Sequence, residues 1–73
     1  MSDVLRIVLE DLARALTPAE VRRLTDRAMT RMGEGGSTRE WIMAMGTILA
    51  EDDNQAGMAA LRAGVARAGQ APA

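Results

Sequence analysis

The chain is expected to fold as an all-α protein, a compact antiparallel bundle of four short helices at about residues 3–16, 18–32, 38–52 and 54–68. Three observations lead there. Thr17-Pro18-Ala19-Glu20 and Ser37-Thr38-Arg39-Glu40 are capping boxes, each ahead of an apolar stretch. Asp53-Asn54 offers N-cap oxygens before a further stretch, and Gly33 and Gly69 stand where two stretches end. Between these signals apolar residues recur at three- and four-residue spacings, the period of a helix with one buried face.

In the first helix, capped by Ser2, the apolar face is Val4, Leu5, Val8, Leu12, Ala15 and Leu16, and Ile7 and Leu9 widen it at either edge. That arc approaches half the circumference, wider than a surface helix needs. In the second helix Pro18 fits the first helical position, where its missing N–H costs nothing. Val21, Leu24, Ala28 and Met32 make its core stripe, with Met29 at the margin and Arg23, Arg27 and Arg31 repeating every four residues outside.

Gly33-Glu34-Gly35-Gly36 reads as the one flexible hinge. The third helix holds Trp41, the only aromatic residue, in a run from Trp41 to Ala50 with almost no polar side. Trp41, Ile42, Met45, Ile48 and Leu49 share its bulky face. Ala56, Ala60 and Gly64 of the fourth helix lie four apart, and Gly46 and Ala50 are expected to receive them. One domain over residues 1–69 is expected, followed by a disordered tail at 70–73.

Composition narrows the functional classes. A formal charge of −1 and a pI near 5.2 do not mark a polyanion binder. Cys, His, Lys and Tyr are all absent, which removes disulfides, thiolate metal sites and most general acid–base groups. No cofactor is expected, and the protein is not expected to be an enzyme. Ser2 and Ser37 have no base to activate them and serve as caps.

Glu51-Asp52-Asp53-Asn54 fails as a calcium loop. Read from Asp52, the fifth position is Ala56 and the twelfth, which needs a bidentate Glu, is Ala63. The glycine hinge lacks the Lys-Ser/Thr of a phosphate loop. Asp3 and Arg6 interrupt any secretory pattern, so a cytoplasmic location is expected. The apolar run at 41–50 falls short of the roughly 20 residues that span a bilayer, and no membrane partner is expected.

A chain of 73 residues without staples relies on packing or on partners, and 14 of its residues are Ala, which bury little. Self-association into a homo-oligomer is therefore expected. The leading functional expectation is a small non-enzymatic protein–protein interaction module: a regulator, an inhibitor or adaptor, or an assembly subunit. It would act through apolar helix faces, with Ile7, Leu9, Trp41, Met43, Met45 and Met58 as interface residues. Five methionines within the helices suit an adaptable surface as well as a core. The alternative is a nucleic-acid-binding regulator using Arg23, Arg27 and Arg31. Against it, Glu20 interrupts the stripe, Asp26 flanks it, and the helix after the hinge is too apolar to read base edges.

Overall fold

Thr17 Oγ1 accepts the amide of Glu20 at 3.2 Å, and Glu20 Oε1 takes the amide of Thr17 at 2.9 Å, so both halves of the first capping box are made. Ser37 and Glu40 repeat the exchange at 3.2 and 3.3 Å. Each box satisfies two amides that the helix itself leaves without acceptors. The helices that follow belong to a computed structural model describing residues 3–33 and 35–70. They are α1 (Asp3–Ala15), α2 (Pro18–Met32), α3 (Thr38–Glu51) and α4 (Gln55–Gln70). The all-α, four-helix expectation is met, with ends within two residues of those read from the sequence. The cap assigned to Ser2, the hinge residue Glu34 and the last three residues lie outside the described part.

Asn54, rather than Asp53, caps α4: its Oδ1 accepts the amide of Gly57 at 2.9 Å and its carbonyl accepts that of Met58 at 3.0 Å. Asp53 instead ends α3. It sits at φ +51° while its amide donates to the Ala50 carbonyl and the Asn54 amide donates to that of Leu49. This is the paired 5→2 and 6→1 closure of a Schellman turn, with Asp where glycine is usual. Gly69 does not stop α4, which continues to Gln70. Glycine is permitted within a helix at modest cost, and nothing in the backbone there demands a left-handed residue.

The core is Val8 and Leu12 from α1, Leu16 just beyond its end, Leu24 and Ala28 from α2, Met45, Ile48 and Leu49 from α3, and Leu61 from α4. Among the described residues no polar or charged side chain is buried. Ala15, expected in the core, is exposed.

α1 and α4 pack most closely. Leu16 and Asn54 line one recess at one end of the pair, and Gly64 lies against Val8 further along, so the two helices are antiparallel. Gly64 therefore serves α1, not α3 as expected from small-residue spacing. The expected partners Ala50 and Ala56 are exposed. α3 and α4 are also antiparallel, with Gly57 against Leu49 and Gly46 against Leu61.

α2 departs from a simple hairpin with α3. In one, Glu51 would lie beside the start of α2, roughly 18 Å along the axis from Arg31 at 1.5 Å per residue. Arg31 instead pairs with Glu51 and Arg27 with Asp52, so the end of α3 lies against the C-terminal half of α2. The radius of gyration, 11.4 Å, matches the roughly 11 Å of a compact chain this long, so this arrangement leaves α2 packed in.

Candidate interaction surfaces

The arginine stripe of α2 is mostly occupied by the chain itself. Arg27 Nη1 donates to Asp52 Oδ2 at 2.6 Å, and Arg31 Nη2 donates to Glu51 Oε1 at 2.5 Å. The two carboxylates come from the acidic run at the end of α3, which thus works as an interhelix clamp. Both pairs are half-exposed, so each adds at most about 1 kcal/mol to stability. Their larger effect is on charge: two of the three stripe guanidiniums are already neutralised. Arg23 makes no ion pair among the described residues, but it lies near Glu20, whose carboxyl is held below its ordinary range. The cause is first the hydrogen bond from the Thr17 amide, then that from the Thr17 hydroxyl, with a smaller contribution from the Arg23 charge.

Beneath Arg23 and Arg27 lies a recess floored by Leu16, Leu24, Ile48 and Leu49 and rimmed by Glu20, Asp52 and Asn54. Its cavity volume of about 60 Å³ is far below the roughly 300 Å³ at which small-molecule sites begin. Asn54 is spent as a cap and Asp52 on Arg27. Above the recess Glu20, Arg23, Arg27, Asp52 and Asn54 border a wide polar depression of about 770 Å³ that is open to solvent.

A second polar cluster joins α1 to α4. Arg67 reaches Asp11 with Nε at 3.3 Å and Nη2 at 2.9 Å, and Nη2 also donates to the Ile7 carbonyl at 3.3 Å. The Asp11 bond, foremost, raises the Arg67 pKa above its ordinary value, with the charges of Asp11 and Glu10 adding to it. The fork reads as a structural clasp. Residues 56 apart in sequence form it, and nothing in the spacing of Asp11 or Arg67 announces it.

The apolar surface is where this molecule differs from a closed globule. Met43 is 64% exposed, Met29 52% and Val65 38%. Of the residues expected at an interface, Met43 is openly displayed. Ile7, Leu9, Trp41 and Met58 are half-buried, with Leu9, Trp41 and Met58 packed against the core. Met45 is corrected: it has no exposed surface, fills the centre of the core and offers nothing to a partner. Helical position explains the split, since Met45 shares a face with Ile48 and Leu49, and Met43 lies on the opposite one. On α4, Val65 lies exposed beside half-buried Met58 and buried Leu61. The structure does not bring the expected interface residues into a single patch.

The chain matches no protein-family model, no curated protein and no solved structure.

Proposed function

We propose that the protein is a small non-enzymatic interaction module, acting as a regulator, adaptor or assembly subunit, that meets protein partners through apolar side chains on its helices. The observation that carries this reading is the contrast between Met43 and the α2 stripe. A large apolar side chain stands 64% exposed, while Arg27 and Arg31 are held by the chain's own carboxylates. Exposed apolar side chains of this size mark contact surfaces when they cluster, and methionine adapts its shape to what covers it. The commitment of Asp52 to Arg27 and of Asn54 to the α4 cap supports a binding rather than a catalytic role. Self-association is one form of such contact, and Ile7, Leu9 and Met29 are the residues offered for it.

The reading is tested against nucleic-acid binding by fluorescence anisotropy with a short labelled duplex at physiological ionic strength. No saturable binding is expected. Tight binding that is lost when Arg23, Arg27 and Arg31 are changed together to Ala would replace this reading. Its log–log salt slope would be about −3 for three phosphate contacts.

A further inference from the structure

The contacts of Gly46 with Leu61 and of Gly57 with Leu49 fix how α3 and α4 face each other. At about 100° per residue, α4 then lies on the side of α3 that carries Ile42, Gly46 and Leu49. The outward edge of that side carries Arg39, Met43 and Ala50. The same construction on α4 puts Met58, Arg62, Val65 and Gly69 on its outward edge, away from α1. Because the helices are antiparallel, both edges open on one side of the molecule. The result is a continuous strip: Met43 and Val65 openly exposed, Ile42 and Met58 half-buried beneath them, and Arg39 and Arg62 flanking.

The charge on this strip is one-sided. Arg39 and Arg62 make no ion pair or side-chain hydrogen bond among the described residues. α4 contains no Asp or Glu at all, and the acidic residues of α3 are engaged elsewhere: Glu40 caps Ser37 and Glu51 holds Arg31. Of the seven arginines off this face, five (Arg6, Arg14, Arg27, Arg31 and Arg67) are bridged to carboxylates, and Arg22 and Arg23 on α2 are not, although Arg23 lies near Glu20. Here two are left bare beside exposed methionine and valine.

Resting on the interaction-module reading, we propose that the α3–α4 face docks an amphipathic helix of a partner protein. That helix's apolar side chains cover Met43 and Val65, and its flanking carboxylates pair with Arg39 and Arg62. A second copy in two-fold pairing would set the same positive patch against itself, which opposes that occupant. An anionic membrane surface is the weaker fit. Juxtamembrane attraction draws on clusters of roughly four to eight basic residues, and this face has two and no exposed aromatic anchor.

The test uses two synthetic amphipathic helices with identical leucine faces, one flanked by Glu and one by Lys. They are titrated into the intact protein while the methionine and valine methyl signals are followed by NMR. The Glu helix is expected to shift the signals of Met43, Met58 and Val65 and leave buried Met45 nearly unmoved. The Lys helix should bind about tenfold or more weakly, since it sets like charges together. Changing Arg39→Glu together with Arg62→Glu, both exposed, should invert that preference while circular dichroism stays unchanged. Equal binding of the two helices overturns the proposal. So do shifts confined to vesicles of phosphatidylserine and phosphatidylcholine, or a Met43 signal already covered by self-association in the free protein. Binding of the Glu helix at Ile7 and Leu9 instead removes this face but leaves the interaction-module reading standing, whereas arginine-dependent duplex binding removes both.

Discussion

A β-carbon placed on Gly64 would come within 2.9 Å of the Val8 Cα, so α4 approaches the backbone of α1 as closely as it does only because position 64 has no side chain. Backbone cannot move aside as a flexible side-chain end can. Gly64→Ala should therefore lower stability, by about 1–3 kcal/mol from overpacking, partly offset by the roughly 1 kcal/mol that Ala gains over Gly within a helix. Five residues on, Gly69 faces open space in the last turn of the same helix. Gly69→Ala should raise stability by about 0.5–1 kcal/mol. Urea unfolding of the two variants checks the opposite signs.

The Schellman turn at the end of α3 gives a second expectation. Asp53 at φ +51° pays a conformational cost of about 1 kcal/mol or less that glycine avoids, and a β-branched residue would pay more. Asp53→Gly should be neutral to stabilising, and Asp53→Val should lower the thermal midpoint. Equal midpoints for the two would mean that the left-handed turn does not persist in solution.

Acid should reveal the α2 capping box. Glu20 has its carboxyl held low by the Thr17 amide and hydroxyl, and to a smaller extent by Arg23. Its contribution is present above the ordinary carboxylate value, near 4.5, and is lost as pH falls through the lowered folded-state value. Glu20→Gln should flatten the stability profile across that window, lowering stability above it and leaving the acid side nearly unchanged. Thr17→Ala removes the N-cap oxygen and should cost about 1 kcal/mol across the pH range.

Local signals in the sequence were read well because they are short-range chemistry. Thr17 with Glu20, and Ser37 with Glu40, specify helix starts from residues three apart, and both boxes are formed. What could not be read is what depends on which helix faces which. Gly64 was assigned to α3 because a small residue announces close approach without naming the partner, and the partner is Val8. The spacing of Arg27 and Arg31 puts them on the outside of α2 but does not name their carboxylates, which lie at Asp52 and Glu51, 25 and 20 residues further along. Met45 and Met43 carry the same side chain two residues apart, and only the placement of the neighbouring helices turns one inward and the other out.

That difference makes a paired prediction. Met45→Glu places a charge with no partner in the core and should unfold the protein, since such a burial costs about 3–5 kcal/mol. Met43→Glu at the open position should stay within about 0.5 kcal/mol of the parent. Circular dichroism and thermal melts distinguish them, and similar losses in both would contradict the arrangement of α3.

Sedimentation equilibrium, run from low to high micromolar protein at two ionic strengths, tests most directly whether apolar helix faces make this protein's contacts. The account predicts reversible self-association that holds or strengthens as salt rises, because apolar contact is not screened, together with a thermal midpoint that climbs with concentration. Ile7→Glu should weaken the association, while Arg14→Ala, 76% exposed, should not. A clean monomer at high micromolar concentration, or association that salt or the loss of Arg23, Arg27 and Arg31 abolishes, would contradict it.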